Sequence, residues 1–303
     1  MTFFSTIECK WRMAAVLLLL CAAPIVSNAQ ILVDLKLDRS VYIAHEAIGG
    51  KLTIVNRAGR DLILGNANGR SWLDFSVTDS RGNLISPVTQ NRGARPLVIA
   101  SGQTHQMRVV VNDVYPMGQI GTYRVRATVS FPQINRVFQT KTLAVQVAEG
   151  KAFWNQVVGV PEGYPGAGTY RIYELLTYFH GARQKALYFR LKDNSTGRVI
   201  RTFSLGDYLS VRPPLYAIDR SNQLHIIHMT APQQYFYTLV DLDGEVVARE
   251  RYYEKKGNRP TLVTLSSGDV EIRGGVTEEV AKTPYEKREF RRLSERPPGM
   301  PRL

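Results

Sequence analysis

Cysteine is almost missing from this chain. Of 303 residues only two are cysteine, Cys9 and Cys21, and both fall within the first 29. Beyond them no thiolate can serve as nucleophile or metal ligand, and no pair can form a bridge. The remaining chain must hold together by burying a core, which its length permits if it divides into two domains of ordinary size. Apolar runs are scarce too: residues 13–26 form one, and no later run approaches the length of a membrane span. Histidine is thin at five residues, and Gly-x-Ser-x-Gly is missing, so serine-hydrolase chemistry has no local signature.

What is present begins with a leader. Lys10 and Arg12 precede the apolar run, and Ser27-Asn28-Ala29 supplies small residues after it, the pattern of a secretory signal peptide over residues 1–29 that is cleaved after Ala29. Lipidation of Cys21 would need a small residue before it, and Leu20 stands there. The expected product is exported, periplasmic or secreted, with no transmembrane segment. Losing Lys10, Arg12 and Glu8 takes the net charge from +13 to +12. A basic exported chain points to acidic surfaces such as anionic glycans or lipid headgroups, and no motif points to specific nucleic-acid binding.

From residue 31 the pattern has period two. Ile31, Val33, Leu35 and Leu37 alternate with polar residues, and the same alternation returns in KLTIVN, SWLDFSVTDS, residues 104–111, GTYRVRATVSF and VFQTKTLAVQV. Seven or eight short strands without a helical period predict an antiparallel sandwich over residues 30–148. The stretch VDLKLDRSVYIAHEAIGGKLTIVN, followed by GTYRVRATV, resembles the immunoglobulin-like domains of bacterial envelope proteins and macroglobulin-type domains. The resemblance implies an immunoglobulin-like β-sandwich that positions or binds something, with Tyr123 as a corner tyrosine tied back to nearby backbone.

Residues 149–168, rich in Gly and Pro, read as a linker, with Phe153 and Trp154 packing between domains. Their glycines lack the following helix and Lys-Ser pair of a phosphate loop, so no cofactor is expected. Over residues 169–277 a pattern occurs twice. LYFRLKDNSTGRVIRTFSLG with PPLYAIDRSNQLHIIHMT is answered by YFYTLVDLDGEVVARERYY with PTLVTLSSGDVEIRGGV. Gly197 and Gly244 lie 47 residues apart, and Pro214 and Pro260 lie 46 apart. Period and strand count resemble β-propeller blades, predicting an antiparallel meander of four-stranded repeats. The domain has room for about two and a half blades, fewer than a closed propeller needs. Either the exposed edge is covered by the first domain, the favoured outcome, or by self-association, or the units form a twisted sheet unlike a propeller. Residues 278–303 are charged, and Thr283-Pro284-Tyr285-Glu286 could open a short helix.

Few constellations promise chemistry. His225 and His228 are three apart on a strand and point to opposite faces, one expected in the core and one outside, so they cannot share a metal. Asp241-Leu-Asp243-Gly244-Glu245 has its glycine too early for a calcium loop and suits a tight hairpin. No catalytic residue and no metal site is assigned. Asn194-Ser195-Thr196 is a glycosylation sequon at a hairpin tip.

Aromatic residues interleaved with arginine are the best binding candidates: Tyr235, Tyr237, Arg249, Arg251 and Tyr253 crowd one hairpin, and Tyr188 and Arg190 occupy the matching place in the earlier copy. Sugars stack on such rings and acidic sugars pair with such arginines. The expected function is an exported non-enzymatic binding or structural protein of the cell envelope, presenting a β surface to an acidic or neutral glycan or an envelope protein. The alternative is a carbohydrate-active enzyme with carboxylates in the second domain. A periplasmic assembly chaperone fits poorly, because the repeat does not look like a second immunoglobulin-like domain.

Overall fold

A computed structural model describes residues 31–65, 71–89, 96–181 and 184–279. The expected signal peptide and the expected C-terminal helix lie outside them. The described chain is all-β, and no helix in it is long and apolar enough to cross a membrane.

The first half holds β1 (Ile31–Leu37), β2 (Val41–Ile43), β3 (Gly49–Asn56), β4 (Leu62–Leu64), β5 (Leu73–Thr78), β6 (Leu97–Ile99), β7 (Thr104–Val110), β8 (Gly121–Phe131), β9 (Arg136–Gln139) and β10 (Leu143–Ala148). One sheet runs β1-β3-β7 and another β2-β10-β8-β5, with β9 also on β8 and β4 paired to β6. Alternate residues of both sheets, among them Leu35, Leu52, Ile54, Val77, Val125 and Val145, meet in one core. Period two does the work: each polar partner faces out while the apolar one is buried. Tyr123 donates its hydroxyl to Gln119 O at 2.9 Å, tying the chain back to nearby backbone.

The second half is a run of meanders. β11 (Lys151–Gly159), β12 (Tyr170–His180), β13 (Gln184–Asp193) and β14 (Val199–Asp207) form one four-stranded sheet. β15 (Leu215–Ile218), β16 (Leu224–Ala231), β17 (Gln234–Val240) and β18 (Val246–Tyr253) form the next, with the short β21 (Val276–Thr277) beside β18. β19 (Thr261–Thr264) and β20 (Val270–Arg273) make a separate two-stranded sheet.

These sheets stack face to face in the manner of propeller blades. Leu175, Leu187, Phe189 and Leu191 of the first meander pack on Leu224, Ile226 and Val240 of the second. The second meander's other face, with Ile227, Tyr235 and Tyr237, is covered by Leu262 and Ile272 of β19 and β20. The first meander's other face, with Leu176, Ala186 and Tyr188, packs on Ile43 and Ala148 of the first half. On its outer edge, β14 forms an isolated parallel bridge between Thr202 and Glu46. Each internal copy spans the last two strands of one sheet and the first two of the next, so the repeat in the sequence is offset by half a sheet from the physical layers.

Two expectations need correction. Residues 149–168 are not a structureless linker: Lys151–Gly159 is a nine-residue strand, paired along its length to β12, and the Gly- and Pro-rich remainder is the turn between them. His225 and His228 do face opposite sides of β16, but both are buried, because the sheet is covered on both faces. The Asp-Gly hairpin has the form expected: Gly244 takes φ 75°, and Asp241 Oδ1 accepts the N–H groups of Asp243 and Glu245.

Candidate functional site

The seven residues expected to bind do not gather on one surface. Tyr188 and Arg190 share the face of β13 that packs on the first half. The Tyr188 ring is fully buried, and its hydroxyl lies 2.8 Å from His180 Nε2 and 3.4 Å from Arg39 Nη1. Burial first, then the nearby Glu46 carboxylate, pushes the Tyr188 hydroxyl up to about 12. Arg39 Nη2 pairs with Glu46 Oε1 at 2.5 Å, so this cluster is a polar seam between the halves.

The strand pleat divides the rest. Tyr235 and Tyr237 face β19 and β20 and are buried, whereas Arg249, Arg251 and Tyr253 point to the opposite side of the same sheet. Arg249 Nη2 donates to Ser204 O at 3.1 Å. Arg251 pairs with Glu278 at 3.1 Å and lies over the Phe236 ring.

A pair of adjoining depressions on the second half gathers aromatic and basic groups instead. The larger, about 540 Å³, is lined by Lys151 and Phe153 of β11, Lys185 of β13, Tyr208, Pro213, Pro214, and Leu215 and Tyr216 of β15. The smaller, about 150 Å³, shares Pro213 and Leu215 and adds Arg212, Arg259, Pro260 and Tyr235, the one residue of the expected seven to reach either. The two share Pro213 and Leu215 as a common wall, and together they are called the groove below.

Local chemistry explains its walls. A register shift between Ala152 and Trp154 inserts Phe153 as an extra residue in β11, and its side chain is left 44% exposed. Trp154 packs against Tyr216 with ring centroids 4.5 Å apart, so Tyr216, 40% exposed, is held from one side. Lys185 Nζ sits 5.2 Å from the centroid of Phe179 and 5.1 Å from that of Tyr208, an arrangement that fixes a flexible ammonium. Tyr208 donates its hydroxyl to Arg212 O at 2.9 Å, closing the loop that presents the two prolines.

The groove is electrostatically one-sided. No carboxylate lines either depression, and among the described residues Lys151, Lys185, Arg212 and Arg259 join no ion pair. Glu254 stands behind the smaller depression, accepting the Tyr235 hydroxyl at 3.1 Å. Burial and Glu254 raise the Tyr235 pKa, against the opposing pull of Arg212 and Arg259.

Two other features compete. A wider cleft of about 1270 Å³ opens at the junction, but Asp79, Asp113, Glu245, Arg201 and Arg249 line it with both signs of charge, and Arg201 is already paired with Glu245 at 2.5 Å. A carboxylate-imidazole-hydroxyl chain also exists: Asp219 Oδ2 lies 3.2 Å from His225 Nε2, and His225 Nδ1 lies 2.9 Å from the Tyr237 hydroxyl. That chain is buried beneath β19 and β20, and Asp219 Oδ1 meanwhile accepts the N–H groups of Ser221 and Gln223 in the turn. Its geometry holds a hairpin to a sheet. Among the described residues no group of three or more His, Cys, Asp or Glu is placed to hold a metal ion.

Comparison with known proteins adds little. No protein-family model matches the chain, and no curated protein does. Among solved structures, the sporulation control protein Spo0M from Bacillus subtilis is similar at 9% identity, over 58% of this chain and 90% of that one, with a TM-score of 0.25. A superposition that loose transfers neither fold nor role.

Proposed function

We propose that the chain is an exported, non-enzymatic binding protein of the cell envelope. Its first half is an immunoglobulin-like spacer, and the groove on its blade-like half receives a polymer such as a glycan. The observation that carries this reading is the pairing of half-exposed Phe153 and Tyr216 with a stiff frame of Pro213, Pro214 and packed strands. Sugar rings stack on such faces, and a frame that needs no ordering on binding saves entropy. The leader-like residues 1–29 support an exported location, and the Tyr123 tie supports the immunoglobulin-like reading of the first half.

A glycosidase would need paired carboxylates flanking the bound sugar, and neither depression is lined by one. The test is a glycan array probed with the full chain and with the double variant Phe153→Ala/Tyr216→Ala. Binding by the wild type that falls at least tenfold in the variant is the expected result. Turnover of a bound polysaccharide, or binding indifferent to both rings, would overturn the reading.

A further inference from the structure

Resting on that binding role, we infer that the groove selects a polymer charged along its length, a linear acidic glycan whose uronate carboxylates pair with Lys151, Lys185, Arg212 and Arg259. Each depression contributes two cations, lysines in the larger and arginines in the smaller, one set on either side of the shared Pro213 and Leu215 wall. A single small anion would satisfy one side only. A chain laid over the shared wall meets charge at both ends and apolar surface between them.

The lining of the two depressions holds no carboxylate, Glu254 meeting it only through the Tyr235 hydroxyl, and this decides the sign of the ligand. Some arginines elsewhere on this chain are neutralised by nearby carboxylates, Arg201 by Glu245 at 2.5 Å and Arg220 by Asp269 at 2.9 Å. In the groove no carboxylate stands against the cations. A neutral polymer lying there would strip water from them without replacing it, whereas an acidic one supplies the missing partners.

Lys185 is the most prepared of the four. Held over Phe179 and Tyr208, its ammonium has already lost much of the side-chain freedom that an exposed lysine gives up on binding. Glycan is preferred to nucleic acid because the leader-like N-terminus supports an exported location.

The experiment is calorimetric titration of the full chain, at low salt, with polygalacturonate and with a neutral glucan of matched length. Polygalacturonate is expected to bind, to weaken steeply as salt rises, and to lose at least tenfold in affinity in Lys185→Ala/Arg212→Ala. The control Arg124→Ala/Arg136→Ala removes the same charge from exposed positions on β8 and β9 and is expected to bind as the wild type does. Circular dichroism of both variants separates lost binding from lost folding; if the first is unfolded, Lys185→Gln alone carries the test. Equal affinity for the neutral glucan would overturn the acidic selectivity while leaving the groove a glycan site. Equal losses in the two double variants would overturn the groove as the locus of the charge effect. Binding of neither polysaccharide, or tighter binding of a single-stranded oligonucleotide, would overturn this inference, while the binding role itself is decided by the glycan array.

Discussion

Arg190 Nη2 donates to the carbonyl oxygen of Ala44 at 3.1 Å, a buried hydrogen bond between residues 146 positions apart that crosses from the first meander to the first half. Its Nε also donates to Thr202 Oγ1 at 3.2 Å. Replacing Arg190 by Met keeps the side chain's bulk but leaves the buried Ala44 carbonyl without this donor, at a cost of roughly 2–3 kcal/mol. Urea unfolding of Arg190→Met should show the loss. A variant within about 0.5 kcal/mol of wild type, the range of unremarkable surface changes, would mean that this bond does not bear on the junction.

His228 predicts a stability that falls in mild acid. The ring is buried, and the Asp207 backbone beside it raises its pKa too little to offset that burial. Burial first, then Arg249, pushes its pKa from 6.5 down to about 4. The unfolded chain therefore takes up this proton below pH about 6.5 while the folded chain refuses it until about 4. This group's share of stability is thus lost as pH drops through that window, by up to about 3 kcal/mol. His228→Leu should flatten the dependence of unfolding free energy on pH between 4.5 and 6.5. An unchanged slope would place the titration elsewhere.

Tyr216→Ala should separate binding from stability. The residue is half exposed and contributes one aromatic contact to Trp154, so its removal should cost no more than about 1–2 kcal/mol of folding free energy. Loss of a stacking face should cost far more affinity than that of a remote surface variant. Thermal melting paired with glycan titration checks both; a large drop in melting temperature with affinity retained would contradict the assignment.

Two glycines should respond differently to alanine. Gly274 has φ 79°, and a Cβ there would run into the carbonyl of Arg259 and the side chain of Asn258. Gly197 has φ 68° with open space around it. Gly197→Ala should cost only the backbone penalty, about 1 kcal/mol, whereas Gly274→Ala should cost more than about 2 kcal/mol and weaken groove binding by shifting Arg259. Denaturant titrations of the two, side by side, test the contrast.

The strands were legible because one face of most first-half strands is buried, and burial on one face writes period two into residues such as Ile31 and Leu35 or Leu52 and Ile54. The repeat was legible because Gly197 and Gly244 each close a hairpin between sheet strands. β11 was not, because seven of its nine residues are exposed or half-exposed before Val158, so no alternation survives, and the glycines and prolines that follow it make a turn rather than a linker. The expected site residues do not share one surface for a related reason. Tyr237 and Arg249 are close in sequence, but the pleat sends them to opposite faces, and covering layers then bury the tyrosine. The groove's own residues come from Lys151, Lys185, residues 208–214 with the start of β15, and Arg259, positions so scattered that only their packing brings them together; Pro213-Pro214 was the one local mark.

The layered order of the meanders has a temporal meaning. Each sheet from β11 onward rests on the chain made just before it and leaves bare a face that only the chain made just after it can dress. Synthesis from the N-terminus would thus lay a foundation first and always carry one sticky surface at the growing end. Among the described residues β19 and β20, only two strands wide, make the last such layer, and deleting them should leave the face with Ile227, Tyr235 and Tyr237 bare.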